Sequence, residues 1–311
     1  MLSRVAERMY WFGRYIERAE NTARLISVNT NLMLDLTRVG FIWSSLVSIA
    51  GLEEAFARRF TQKEERNVVR FLLDNPTGSI RHSIATAREN VRTTREILPS
   101  ESWENVNELY LFIGENIDKG VKRDGRHRFL AQIMRRCQGI TGYLAGAMSN
   151  NDAYNFIKIG RNLERADMTT RILDVGCLNL VSEKRPEILE YEAILWMNVL
   201  RSLTALQMYR QNVKDRVNGE DVAEYLMDDL YFPRAVAHCL SEVRGCCEIL
   251  PNAESPLRSV THAQRKLASE DVKLLLRNGE LHRYIDEFQE ELAEIHLSIS
   301  GNWFGAEPEE T

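Results

Sequence analysis

An all-α fold is what the sequence predicts, and three observations predict it. Apolar residues recur at helical spacing in almost every segment of the 311-residue chain, while the alternation of a half-buried strand is nearly absent. Turn formers are scarce, with 17 glycines and 7 prolines against average usage of about 7% and 5%. One helical segment also occurs twice, at residues 12–28 and 159–175, which points to a tandem-duplicated helical bundle with two pseudo-symmetric halves.

The elements follow in order. A first helix opens near Ser3 and runs past Met33. The spacing predicts further helices over about 43–59, 64–74, 79–97, 101–118, 126–148, 152–180, 187–213, 220–228, 233–249, 257–275 and 279–299. The breaks have local reasons. Asn75-Pro76-Thr77-Gly78 is a turn, and Pro99-Ser100 ends one helix and caps the next. Asp124-Gly125 and Asn218-Gly219 read as loops, and Pro186, Pro233 and Pro251 sit at helix boundaries.

Composition excludes several function classes. The chain is 44% apolar and 27% charged, which is ordinary for a globular protein and excludes disordered and low-complexity classes. Its 40 basic and 45 acidic residues leave a net charge of −5, whereas a nucleic-acid binder carries a basic excess. Five cysteines without CxxC spacing suggest neither a disulfide framework nor a zinc site, but reduced packing residues. The opening residues put charges at positions 4, 7 and 8, so no signal-peptide core is expected. The most apolar uncharged stretch, 39–52, is too short to span a bilayer and reads as a buried helix segment. A soluble, cytoplasmic protein without nucleic-acid or membrane partners is the expectation.

The repeat is the most informative feature. FGRYIERAENTARLISV and IGRNLERADMTTRILDV agree at eight of seventeen positions. VVRFLLD at 68–74 parallels VAEYLMD at 222–228, and EILP recurs at 96–99 and 248–251. The offsets of 147, 154 and 152 are what a duplication with short insertions leaves behind. The expected domains are therefore a first repeat over 1–150 and a second over 151–311, packed as one globular unit.

On the first copy, at about 100° per residue, Glu7, Tyr10, Arg14, Glu17, Arg18 and Asn21 share one stripe. Leu2, Val5, Met9, Phe12, Ile16, Ala19 and Ala23 take the opposite side. Gly13 and Gly160 sit mid-helix at a cost of about 1 kcal/mol each against Ala, which suggests close approach of another helix or a ligand. A solvated face held by i,i+4 ion pairs is the plain reading of one such stripe. Solvated charges drift after duplication, yet Arg14, Glu17, Arg18 and Arg24 match Arg161, Glu164, Arg165 and Arg171. Two readings then stay open: a buried ionic seam, or a site that grips a carboxylate or phosphate through arginine forks. In the second, Glu17 and Glu164 are the candidate catalytic groups, with Asn21 supplementing the arginines. Arg88, Arg92 and Arg95 form a further cationic stripe in ARENVRTTRE, and Arg234 in YFPR stands at a helix entry.

Several chemistries find no support. The sequence has no GxGxxG, GxxxxGK[ST] or GxSxG, and no ExxH or HExxH among its six histidines. No cofactor and no metal are expected.

The chain resembles the alpha-E family, an all-helical domain named for its ER residues and typically duplicated. ERMYWFGRYIERAENTAR resembles the family's opening and residues 79–107 its central signature, while FPRAVAHCL and ISGNWF resemble its C-terminal half. The resemblance implies a place beside circularly permuted ATP-grasp carboxylate–amine ligases and transglutaminase-like proteins, in a peptide synthesis or modification system. It carries the ER positions onto Glu17-Arg18 and Glu164-Arg165, with Arg14 and Arg161 preceding them. The copies depart at Asn21, which Met168 replaces. A helical accessory component that binds a peptide or acyl intermediate beside the ligase is the first expectation. An enzyme clamping an anion through its arginines is the second, and a structural ER seam with function elsewhere the third. A homo-oligomer stays open.

Overall fold

The computed structural model describes residues 2–35, 42–181, 191–213 and 215–305. Among these, 80% are helical, in fifteen helices, and none is in a strand. They are α1 (Ser3–Asp35), α2 (Ile42–Ile49), α3 (Glu53–Ala57), α4 (Glu65–Asp74), α5 (Ile80–Arg92), α6 (Ser100–Val121), α7 (Arg123–Ala147) and α8 (Asp152–Val181). There follow α9 (Glu192–Ser202), α10 (Leu206–Asn212), α11 (Gly219–Asp228), α12 (Val236–Ile249), α13 (Glu254–Ala268), α14 (Val272–Asn278) and α15 (Leu281–Trp303).

Where the helices differ from the expected spans, local chemistry accounts for it. The expected helix over 43–59 breaks at Gly51, whose φ of 65° is a left-handed conformation that glycine adopts without a Cβ clash. That over 79–97 closes at Arg92, and a short turn follows. The span over 187–213 divides at Thr204, where φ is 55°; residues 187–190, with Pro186, lie outside the described residues. The span over 257–275 is two helices, because the Asp271 carboxylate accepts a hydrogen bond from the Leu274 amide at 3.1 Å and starts a new one. Asp124-Gly125 is not a loop but the first turn of α7, and the break falls at Lys122, which is extended. The cap expected at Ser100 does not form, since Pro99 holds the cap position and the Ser100 hydroxyl donates to Glu101 at 2.9 Å. Ser79 and Asn218 do cap α5 and α11, accepting from the amides of His82 at 3.1 Å and Asp221 at 2.9 Å.

The chain divides into two compact units. The first gathers Met1–Arg14, Ser149–Trp196 and Ala205–Thr311; the second is Tyr15–Met148 with Met197–Thr204. In the first, α8 packs on α11, α12 and α15, and α13 lies against α12 and α15. Its core is built from Leu163, Leu226, Val243, Ile285 and Phe288, each 1% exposed or less. In the second, α6 packs on α4, α5 and α7, around Val69, Phe71, Ile84, Leu109 and Ile133. All five cysteines are free and buried. No helix among the described residues is long and apolar enough to cross a membrane.

Candidate functional site

The polar stripe of α1 is not solvated. Tyr10 is 0% exposed, Arg14 9%, Glu17 2% and Asn21 1%. On the dry side Met9, Phe12, Ile16, Ala19 and Ala23 are buried too, but Leu2, expected there, is 77% exposed ahead of the helix. In the first unit, the start of α1 crosses α8 at the two mid-helix glycines. A Cβ on Gly13 would overlap the Ile157 carbonyl, and one on Gly160 would overlap the Tyr10 carbonyl. The contact is reciprocal, because Ile157 stands at the repeat position of Tyr10. The neighbour that each glycine admits is therefore another helix.

This close approach brings an arginine of the first ER segment to a glutamate of the second. Arg14 Nε donates to Glu164 Oε2 at 2.7 Å, with the two side chains 11% and 1% exposed. Arg14 Nη1 donates to the Tyr10 hydroxyl at 3.2 Å, and that hydroxyl lies 2.8 Å from Nδ1 of His296 on α15. The guanidinium stacks near the rings of Tyr10 and Trp11, 5.8 and 5.4 Å from their centroids. Burial opposes the charge on Arg14, but Tyr10, Glu164 and Asp167 outweigh it and the guanidinium stays firmly protonated. Burial, then the Arg14 charge, depresses His296 below the usual histidine range. A neutral imidazole beside a phenol can relay a proton. A guanidinium committed to a buried carboxylate, by contrast, is part of the frame.

The remaining expected site residues divide between the units. Arg171 pairs with Asp167 one turn earlier at 2.9 Å, and Arg24 pairs with Glu20 at 2.5 Å. These two pairs occupy matching repeat positions. Glu20 also accepts from Gln138 Nε2 at 3.0 Å. Glu17 and Glu20 both add to the burial that pushes up the Cys137 thiol. Half-buried Arg18 lies 5.7 Å from the Tyr15 ring centroid, and its charge joins burial in depressing His82. Arg161 and Arg165 are half-buried on α8, and the Arg161 charge reaches Cys246. Met168, in the place of Asn21, is 5% exposed.

In the second arginine stripe Arg88 and Arg95 share Trp103, while Arg92 pairs elsewhere. Arg88 donates to Asn107 Oδ1 at 2.7 Å and lies over Trp103 and Tyr110. Arg92 is exposed and grips Glu89 through two hydrogen bonds of 2.8 and 2.6 Å. Arg95 also stacks on Trp103, 3.8 Å from the ring centroid. Arg234 is buried, and its carbonyl accepts from the Thr169 hydroxyl at 2.7 Å.

Sequence reasoning missed Glu20, Asp167 and His296. The first two were open to it, since each precedes its arginine by four residues on a helix. His296 stands 286 positions from Tyr10, and no spacing rule reaches that far. No curated protein and no solved structure matches the chain. One family model does match, over residues 1–304, described as a predicted alpha-helical domain with a conserved ER motif. With both ER segments on helices, α1 and α8, the chain belongs to the Alpha-E family.

Proposed function

We propose that this chain is a helical accessory component of a peptide synthesis or modification system, that it acts with an ATP-grasp carboxylate–amine ligase, and that its ER pairs hold the fold. The observation that carries the reading is the Arg14–Glu164 pair: buried at 11% and 1% exposure, each partner is committed to the other. Such a pair is costly to break and poorly placed to exchange partners for a substrate at every turnover. A transglutaminase-like protein is the second proposed partner, and a peptide or acyl group the proposed ligand. The family resemblance supplies the system, and the absence of a glycine-rich phosphate loop from the sequence supports leaving nucleotide chemistry to the ligase. Work in the cytoplasm is part of the same proposal.

A tandem duplication, with repeats over 1–150 and 151–311, accompanies it. It is supported by the reciprocal Gly13 and Gly160 contacts, and by the matching Glu20–Arg24 and Asp167–Arg171 pairs. The test is co-purification with the ligase, together with calorimetry of the isolated chain against Mg-ATP. Retention of the ligase with no nucleotide heat is the expected result. Micromolar ATP binding, or turnover by the isolated chain that Glu17→Gln or Glu164→Gln abolishes, would replace it with the enzyme reading.

A further inference from the structure

Away from the Arg14–Glu164 pair, the first unit carries a carboxylate–imidazole–carboxylate cluster. Asp174 lies on α8, three residues past Arg171, and His282 and Asp286 share one face of α15 at i,i+4 spacing. His282 Nδ1 is 2.6 Å from Asp174 Oδ1, and its Nε2 is 3.5 Å from Asp286 Oδ2. One ligand atom from each residue lies within 4.8 Å of the other two. The Asp174 side chain is 12% exposed, against 44% for His282 and 59% for Asp286. A buried carboxylate thus floors a cluster that opens to solvent on the α15 side.

The charge is unbalanced. Two carboxylates face one imidazole, so a net negative charge remains even when the ring is protonated. Burial opposes the Asp174 charge, the His282 ring offsets it and Asp286 adds repulsion. A buried carboxylate with too little positive charge around it favours a bound cation.

We propose that Asp174, His282 and Asp286 form a site for a divalent cation of the zinc and manganese class, held by one imidazole nitrogen and two carboxylate oxygens. That donor set suits borderline and moderately hard cations. Bonds of about 2.1 Å hold neighbouring ligand atoms roughly 3.0–3.5 Å apart, so the 3.5 Å between His282 Nε2 and Asp286 Oδ2 suits two ligands of one ion. Asp174 faces the other ring nitrogen, so binding closes the cluster: Asp174 gives up its hydrogen bond to Nδ1, and its carboxylate, within 4.8 Å of the other two ligand atoms, swings onto the metal. The imidazole binds in its neutral form, so uptake releases any second ring proton to solvent. Three protein ligands leave a coordination position for water. Ser27 stands at the repeat position of Asp174, so the first ER segment lacks the buried carboxylate and one ion per chain follows. Sequence motifs such as HExxH do not reveal the set, because Asp174 and His282 are 108 positions apart.

The test is calorimetric titration of the chelator-treated full chain with Zn²⁺. One ion per chain at micromolar affinity is expected. The exposed-site variants His282→Gln and Asp286→Asn should each weaken it at least about tenfold, with unchanged circular dichroism. Glu287→Gln, a neighbouring acid on the same helix, should leave it unchanged. No binding by the wild-type chain up to millimolar Zn²⁺, or equal affinity in all three variants, overturns the site. Paramagnetic Co²⁺ gives a readout that needs no variant. It should broaden the His282 ring resonances selectively, and sharp His282 lines under saturating Co²⁺ would equally overturn it.

Discussion

The two ER segments carry one pattern and bury it almost alike. Ile16 and Leu163, Ala19 and Ala166, and Leu25 and Ile172 are all 4% exposed or less, and Glu17 and Glu164 are equally hidden. They differ where their surroundings differ. Asn21 becomes Met168, and buried Ser27 becomes Asp174, a carboxylate with its own imidazole. The same divergence appears in the second repeated stretch. Val68, Val69, Phe71, Leu72 and Leu73 on α4 match Val222, Ala223, Tyr225, Leu226 and Met227 on α11, and all ten are buried. At its end, however, Asp74 pairs with Arg81 at 2.9 Å, while Asp228 faces the carboxylates of Glu224 and Asp271. The two similar stretches share an apolar register because each has a core to fill. A charge kept at matching positions meets different surroundings, as Asp74 beside Arg81 and Asp228 beside two carboxylates show.

The strongest way to break this comparison is to strand a shared charge. Glu164→Ala leaves Arg14 buried beside an empty position and should cost about 3–5 kcal/mol in denaturant unfolding. Replacing both partners by leucine should recover most of that loss, whereas an equal loss in the double variant would mean the pair is not the cause. Next come the crossing glycines. Gly13→Ala and Gly160→Ala should each destabilise by about 1–3 kcal/mol or more, despite a gain of about 1 kcal/mol in helix propensity. A stabilised alanine variant would show that the helices have room to separate.

The mismatched aspartates predict a pH effect. Burial and its acidic neighbours push Asp228 up to about 6, above the ordinary aspartate value of 3.8. The folded chain therefore binds this proton more tightly than the unfolded chain, and the stability it contributes is lost as pH rises from about 4 to about 6. Asp228→Asn should raise the melting temperature at pH 7 and leave it nearly unchanged at pH 4. Asp74→Asn should show no such gain, because it gives up an arginine partner. The smallest effect separates the paired arginines. Arg24→Ala, with its pair 11% and 5% exposed, should cost about 1 kcal/mol; Arg171→Ala, with 33% and 19%, should cost a few tenths. Equal losses would mean that burial does not grade these pairs.

Much of this was legible beforehand for a physical reason. Helical periodicity and the scarcity of turn formers are local properties, so the sequence carries them. The repeated glycines were legible as a close approach because a helix tolerates mid-helix glycine at a cost that a tight crossing offsets. The breaks at Gly51 and Thr204 were not, since a single left-handed residue leaves the flanking periodicity intact. Nor were the partners of Arg88, Arg92 and Arg95. Their spacing puts them on one helix face, but whether a guanidinium stacks on Trp103 or stays in water depends on the neighbouring helix α6.

By itself, then, the sequence determined the all-α class, the apolar register of each helix and the pairing of equivalent positions across the repeat. Those follow from contacts between residues three or four apart, or from comparison of one segment with its copy. Tertiary structure decided which partner each charge received. Arg14 meets Glu164 across 150 positions, Tyr10 meets His296 across 286, and Asp174 meets His282 across 108. The reason is that a buried charge is stabilised by whatever the packing places within about 3 Å of it, and helical periodicity sets only the face from which it points.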